Sequence, residues 1–279
     1  MTYAPGFRFV RPGFAQSLRA LYGRRETIRF LTHSNLKAGN RDKVLGHVWN
    51  LLDPLLFIAV YFVVFGWIFG QTARARAADF LTYLVIGVLA WRFLEGAVSQ
   101  STSCIRSYRG LIHAISFPKA VLPVSICLSR LYDFLWGLMA FIIILLLIGM
   151  NWSVHLLWIP LLVFVQLVFV MGLAFVVACL GAMYADTSNI VGVGMRLWFY
   201  CSPIFYYATG PHGMIPDRYV LYYMLNPVAC FFEAYRSAFL HASAPQAAIL
   251  LYLVTVSVGL WLVGFVLFTR REGEFSKYV

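Results

Sequence analysis

The fold is decided by two apolar runs, Phe141-Ile-Ile-Ile-Leu-Leu-Leu-Ile148 and Leu161-Leu-Val-Phe-Val-Gln-Leu-Val-Phe-Val170. Both lie in a 52-residue stretch, from Phe134 to Ala185, that contains no Asp, Glu, Lys or Arg. A helix needs about 20 apolar residues to cross the hydrocarbon core of a bilayer. The stretch therefore predicts two membrane-spanning helices, joined by the turn Gly149-Met-Asn-Trp-Ser153.

The composition of the whole chain supports the same class. Of 279 residues, 61% are hydrophobic and 12% are charged, whereas a soluble domain is about 45–50% apolar and about 25% charged. These values exclude a soluble globule, a disordered chain and a secreted domain held by disulfides. Runs that are apolar on all sides also disfavour a barrel, whose strands alternate apolar and polar residues. We therefore predict an all-α polytopic membrane protein.

Six apolar runs bounded by charges or turn residues predict six membrane spans. They cover about residues 50–70, 80–103, 121–148, 156–184, 189–208 and 246–268. Cytoplasmic loops carry an excess of Lys and Arg. With both termini inside, 16 of the 22 Lys and Arg residues fall on the cytoplasmic side, and two lie within spans. The remaining four fall on the outer side: Arg74, Arg76, Arg218 and Arg236. Residues 1–48 are then a cytoplasmic region, 49–268 the membrane domain and 269–279 a cytoplasmic tail.

Residues 14–38 predict a basic amphipathic helix along the inner membrane surface, broken near Gly23. The helix either anchors the chain to lipid headgroups or recruits an anionic lipid-linked substrate, because Arg guanidinium groups match phosphate oxygens. The candidate headgroup residues are Arg19, Arg24, Arg25, Arg29, Lys37 and Arg41.

The cytoplasmic segment between the second and third spans mixes apolar and basic residues and is long enough for a short helix, at about residues 105–117. It is either a simple loop or a docking helix for a soluble partner. The sequence has no G-x-x-x-x-G-K-[ST] phosphate loop, so a partner that binds ATP is expected. The candidate docking residues are Arg106, Arg109, Leu111, Ile112, His113 and Phe117.

The outer segment 209–245 is divided by Gly210-Pro211, Ile215-Pro216 and Asn226-Pro227 into short pieces. It predicts a pair of short re-entrant helices, at about 211–240, because non-helical backbone at membrane depth must be covered by protein or water. Its aromatic residues fit either an interfacial belt or a surface along which sugar rings slide. The candidate path residues are Tyr206, Tyr207, Tyr219, Tyr222, Tyr223, Phe231 and Phe232.

Two pairs of opposite charges fall within predicted spans: Arg92 with Glu95, and Arg130 with Asp133. The i,i+3 spacing places each pair on one helix face. Such pairs either line a hydrated path or tie helices together.

The sequence shows no catalytic or metal-binding pattern. There is no H-E-x-x-H motif, the 11 acidic residues are scattered, and the five cysteines stand singly in or near apolar runs. We therefore expect buried free thiols, no catalytic residue, no metal and no cofactor in this chain. Nucleic-acid binding is not expected, because no basic domain stands apart from the membrane region.

Several short motifs stand in the same order as in a known family, over about residues 14–270. They are Leu36-Lys37, Leu45-Gly46-x-x-Trp49-x-x-x-x-Pro54-Leu55, Phe117-Pro118-Lys119-Ala-Val-Leu-Pro123, Asp186, Phe199-Tyr-Cys-Ser-Pro-Ile204, Met214-Ile-Pro216, Leu225-Asn226-Pro227, Glu233 and Arg236. In these motifs the chain resembles the permease subunit of type-2 ABC exporters of polysaccharides, which include the O-antigen, teichoic-acid and capsule exporters.

The resemblance implies a role and partners. Two copies of the permease would form a channel in the bacterial cytoplasmic (inner) membrane, and two ATP-binding cassette subunits, which hold ATP and Mg, would dock below it. Residues 14–38 would be the interface helix, the segment Arg106–Phe117 the coupling helix, and 211–240 the outer gate. The cargo would be a lipid-linked polysaccharide.

Two other functions stay open on the sequence alone. An integral-membrane enzyme of lipid-linked glycan assembly would need carboxylates or histidines clustered at one membrane face. A secondary transporter would use an ion gradient without ATP, and internal repeats are common in that class.

Overall fold

The structure is a computed structural model that describes residues 14–40, 48–68, 77–115, 117–148, 153–208 and 215–275. All regular elements in these ranges are helical. The α-helices are α1 (Phe14–Gly23), α2 (Arg25–Asn40), α3 (Val48–Tyr61), α4 (Ala77–Thr102), α5 (Cys104–Ser107), α6 (Arg109–Ala114), α7 (Val121–Ile148), α8 (Trp158–Met183), α9 (Thr187–Tyr200), α10 (Asp217–Tyr223), α11 (Pro227–Phe239) and α12 (Ala247–Arg271). A π-helical segment, Phe62–Ile68, continues α3, and 3-10 turns at Val154–Leu157 and Glu272–Glu274 adjoin α8 and α12.

Four helices in the described ranges, α4, α7, α8 and α12, are long and apolar enough to cross a membrane. They confirm the second, third, fourth and sixth predicted spans as helices. The first predicted span corresponds to α3 and its π-helical continuation, which together occupy residues 48–68. Its position across a membrane stays a prediction.

The fifth predicted span is corrected by the structure. The predicted helix over 189–208 is α9, which has 14 residues and ends at Tyr200. At 1.5 Å per residue, α9 is about 21 Å long, shorter than the hydrocarbon core of about 30 Å. The helix stops before Pro203, which has no backbone N–H to donate to a continuing helix. Residues 201–208 are non-helical.

Helix α8 is the centre of the bundle and packs mainly on α12 and α4, while α4 also packs on α7. Small residues let the backbones approach closely, as is usual between membrane helices. A Cβ atom added at Gly264 of α12 would overlap the carbonyl oxygen of Gly172 of α8. Likewise, a Cβ at Gly181 would overlap the carbonyl oxygen of Thr102, so α8 and the end of α4 touch through their backbones.

The buried apolar residues form two clusters, a larger one within the bundle and a second one at one end of it. The second apolar cluster joins the N-terminal helices to the bundle. Phe14 of α1 packs edge-on against Phe265 of α12, at 5.6 Å between ring centroids. Leu31 of α2 and Phe275 are buried in the same cluster. The chain breaks between α1 and α2 at Arg24, which confirms the predicted break near Gly23.

Candidate functional site

The segment predicted as one helix over 105–117 is two short helices, α5 and α6, which meet at Tyr108. The segment is therefore helical, but it is divided in two where the sequence predicted one short helix. Tyr108 leaves the helical region, with φ −98° and ψ 21°. Its side chain is half-buried and hydrogen-bonded to another helix, so a tertiary contact accompanies the break.

The two faces of this segment have opposite character. Cys104 and Ile105 are buried in the second apolar cluster, and Leu111, Ile112 and Phe117 pack partly against it. The basic candidates Arg106, Arg109 and His113 are all exposed. The apolar candidates therefore hold the segment on the bundle, and the basic candidates are left exposed.

A short chain of hydrogen bonds joins this segment to α2 and α7. The Tyr108 hydroxyl donates to Asn35 Oδ1 at 2.5 Å, and Asn35 Nδ2 donates to Ser125 Oγ at 3.4 Å. Thr32 Oγ1 of α2 donates to the Ser125 carbonyl oxygen at 3.4 Å. Burial, and to a smaller extent the nearby Cys104, raise the pKa of Tyr108 above its ordinary value. The hydroxyl therefore keeps its proton, and can donate it, at neutral pH.

The predicted headgroup residues lie on the outside of α1 and α2 or at their junction. Arg19, Arg24, Arg25, Arg29 and Lys37 are exposed. Arg29 pairs with Glu26 at 3.2 Å, a contact between exposed groups that contributes little to stability. The sixth candidate, Arg41, lies outside the described residues. Five cations therefore line the outside of this helical pair.

Lys119, which the sequence singles out only as part of a motif, connects the start of α7 to Glu272, the residue that follows α12. Its backbone N–H donates to the carboxylate of Glu272, and its Nζ donates to the Glu272 carbonyl oxygen at 3.0 Å. Burial lowers the pKa of Lys119, and the charge of Glu272 opposes this shift. This contact joins the start of α7 to the end of α12.

Arg236 lies in a different environment from the one that the sequence predicts. It was counted among the outer-loop cations, yet it is 1% exposed on α11. Its Nη2 donates to the carbonyl oxygens of Pro203 at 2.6 Å and Tyr83 at 3.2 Å. The guanidinium carbon also lies 3.2 Å from the Tyr83 ring centroid. Arg236 thus holds the non-helical segment 201–208 against α4.

Asn226 fastens the other side of this non-helical segment. Its Oδ1 accepts from Trp198 Nε1 at 2.9 Å and from the Val228 amide at 3.0 Å, so it also caps α11. Its Nδ2 donates to Ser202 Oγ at 3.1 Å. The Asn-Pro dipeptide, a turn signal in the sequence, is therefore a three-way junction between α9, the segment that follows it and α11.

The predicted path residues fall into three groups. Tyr219 and Tyr222 of α10 are exposed. Tyr206, Tyr207 and Tyr223 are partly buried, and the hydroxyl groups of Tyr206 and Tyr223 share a hydrogen bond of 2.8 Å. Phe231 and Phe232 are 2% and 1% exposed inside the bundle. They face the core because α11 lies on α4 and α8, so in this chain they are packing residues and do not line a surface.

The membrane-embedded charges are partly as predicted. Arg130 and Asp133 form the expected i,i+3 pair at 3.3 Å, and Arg130 Nε also donates to Gln100 of α4 at 3.0 Å. Glu95 accepts from Trp91 Nε1 at 3.1 Å, and its pairing with Arg92 stays a prediction. Arg130 therefore links α7 to α4.

Hydrogen bonds of the buried Gln166 side chain, which the sequence did not predict, connect three helices inside the bundle. Gln166 of α8 donates to the Ala90 carbonyl oxygen at 2.9 Å and accepts from the Tyr235 hydroxyl at 2.7 Å. The one polar residue in the run Leu161–Val170 is the signal that could have pointed to it. Gln166 joins α8 to α4 and α11.

The described residues contain no group of three or more His, Cys, Asp or Glu side chains that could hold a metal ion. All five cysteines are free thiols, and four of them are buried as predicted; Cys201 is exposed, so the prediction of burial is wrong for this residue.

Comparison with known proteins agrees with the family resemblance. The sequence profile described as ABC-2 type transporter matches residues 26–240. The chain is 28% identical to the O-antigen export system permease protein RfbA of Myxococcus xanthus, over 94% of this chain and 98% of the relative. It is 26% identical to the protein of the same name from Klebsiella pneumoniae, over 88% and 92%. It is 21% identical to the polysialic acid transport protein KpsM of Escherichia coli, over 82% and 86%. The chain belongs to the ABC-2 type transporter family of membrane proteins.

Proposed function

We propose that this chain is the channel-forming permease subunit of an ATP-driven exporter that moves a lipid-linked polysaccharide, an O-antigen or a similar surface glycan, across the bacterial cytoplasmic membrane. The observation that carries the proposal is the family match over residues 26–240, together with relatives named as O-antigen and polysialic acid transporters along most of their length. The permease itself catalyses no reaction.

The energy comes from a separate subunit in this proposal. Two ATP-binding cassette subunits dock on the α5–α6 segment of two permease copies and hydrolyse ATP with Mg. The proposal is supported by the absence of a phosphate-binding loop in the sequence and by the exposed Arg106, Arg109 and His113 on an anchored segment. A docking contact needs groups that are both accessible and held in place, and this segment offers both.

The substrate is recognised in two parts. The phosphate of the lipid carrier is drawn to the cations of α1 and α2, among them Arg25, Arg29 and Lys37, because guanidinium and ammonium groups pair with phosphate oxygens. The glycan passes along the exposed tyrosines Tyr219 and Tyr222, whose aromatic faces pack on the apolar faces of sugar rings. Both termini are cytoplasmic in this arrangement.

Co-purification tests the proposal. The chain is expressed with its cognate ATP-binding subunit and extracted in detergent, and stoichiometry and ATPase activity are measured. We expect a complex of two permeases with two ATPases. The double variant Arg106→Glu with Arg109→Glu should reduce assembly about tenfold or more, because reversed charges meet a surface complementary to the native ones. Arg218→Glu, a reversal at an exposed site on α10, is the matched control and should assemble normally.

Two results would contradict the proposal at different levels. A chain that purifies folded and alone, and exports glycan without any ATPase, would remove the exporter mechanism. A complex that forms equally well with the charge-reversed variant would keep the mechanism but move the docking site away from α5 and α6.

A further inference from the structure

The break between α5 and α6 is connected to the basic α1–α2 pair through one side chain. Tyr108 stands at the break, and its hydroxyl donates to Asn35 Oδ1 at 2.5 Å across 73 positions of sequence. Asn35 lies on α2, four residues from Leu31, so both fall on the same side of the helix. Leu31 is buried in the second apolar cluster, where Ile105 of α5 is also buried. Helix α2 and the α5–α6 segment therefore share one apolar cluster and a hydrogen bond.

Asn35 also faces α7. Its Nδ2 donates to Ser125 Oγ, and Ser125 Oγ in turn donates to the Leu122 carbonyl oxygen at 2.8 Å, which fixes the hydroxyl. Ser125 is fully buried, so Asn35 is held at a fixed point of the long helix α7 while its Oδ1 contacts the α5–α6 segment. An amide side chain can do both at once, because it carries an acceptor and two donors.

From this geometry we infer that Asn35 and Tyr108 are positioning residues that couple the ATPase-docking segment to the substrate-recruiting helix α2. The inference rests on the proposed function and extends it. A displacement of α5 and α6 by the docked subunit reaches α2 through the Tyr108–Asn35 hydrogen bond. The exposed Arg29 and Lys37 then move with the segment, and release of the lipid headgroup is timed to the ATPase.

Rigid coupling needs a contact that resists displacement in a defined direction. Apolar packing of Leu31 alone allows sliding, since it is non-directional, whereas a hydrogen bond weakens steeply when its angle falls. The bond at Tyr108 lies between α5 and α6, where the backbone departs from helical geometry. Loss of the hydroxyl should therefore uncouple the elements without unfolding them.

The test uses the full permease–ATPase complex in its host, with Tyr108→Phe, Asn35→Ala and the double variant. Surface glycan is measured on intact cells by periodate oxidation and hydrazide labelling, and ATPase activity is measured on the purified complex. We expect Tyr108→Phe to assemble normally and keep its ATPase activity within about twofold, while export falls about fivefold, the factor for one hydrogen bond. Tyr184→Phe, at an exposed tyrosine beyond α8, is the control and should leave both unchanged.

The double variant decides whether the two side chains act as a unit. Export in Tyr108→Phe with Asn35→Ala should be no lower than in Asn35→Ala alone, because both changes break the same bond. Three results would each overturn the inference. Export in the double variant could fall by the product of the two single losses, export in Tyr108→Phe could equal wild type, or ATPase activity and export could fall in parallel. Wild-type protein that shows no ATP-dependent export would instead overturn the proposed function.

Discussion

Replacement of Arg236 by methionine is the sharpest test of how the bundle is held together. The substitution keeps most of the apolar volume of the side chain and removes the guanidinium. Two carbonyl oxygens, those of Pro203 and Tyr83, then lose their charged donor in a site that water does not reach. We expect a marked loss of stability, because buried carbonyl groups without partners are costly.

The size of the effect follows from opposing contributions. Each hydrogen bond from a charged donor is worth about 1.5–3 kcal/mol, so the two bonds together contribute about 3–6 kcal/mol. Burial of the guanidinium costs free energy, and methionine removes that cost. A net loss of about 3 kcal/mol is the expected result. At about 2–4 °C per kcal/mol, the Tm should fall by roughly 6–12 °C.

The assay is thermal unfolding of the purified permease–ATPase complex in detergent, followed by tryptophan fluorescence. Arg218→Met is the matched control, since Arg218 is exposed on the neighbouring helix α10 and stacks on Tyr219 at 4.6 Å. Its loss should shift stability by less than about 0.5 kcal/mol. An Arg236→Met protein as stable as wild type, or more stable, would refute the reasoning. The free energy cost of burying the guanidinium would then equal or exceed the free energy that its hydrogen bonds contribute.

Two further substitutions test the packing of α8. Gly264→Ala should lower the Tm of the complex, because the new methyl group would overlap the carbonyl oxygen of Gly172, whereas Gly259→Ala on the same helix meets open space and should be neutral or slightly stabilising. Gln166→Leu should cost about 1–2 kcal/mol by leaving the buried Tyr235 hydroxyl without its acceptor, and the added change Tyr235→Phe should recover part of the loss; no recovery would contradict this link.

Features that depend on local composition were predicted well. The four long helices α4, α7, α8 and α12 follow the apolar runs, because the length and hydropathy of a segment are properties of the segment itself. The break between α1 and α2 was also visible, since glycine has low helix propensity and stands at residue 23.

The sequence did not predict which face of a short helix is buried. Helix α11 carries aromatic residues that suit either a sugar path or a core, and only its position against α4 and α8 shows that Phe231 and Phe232 are core residues. The α5–α6 segment likewise divides at Tyr108, whose partner Asn35 is far away in sequence. Neither the helices that cover α11 nor the residue that Tyr108 contacts can be predicted from the neighbouring residues in the sequence.

The sequence by itself determined the class of this protein, its long helices and its place in the ABC-2 type transporter family, because apolar length and ordered motifs are written along the chain. Only the tertiary structure decided where Arg236 lies. A cation beside Asn-Pro turns looks like a loop residue, yet the carbonyl groups of residues 203 and 83 offer it acceptors within the bundle. The second of these is 153 positions away, and a buried charge is tolerated only where such acceptors converge.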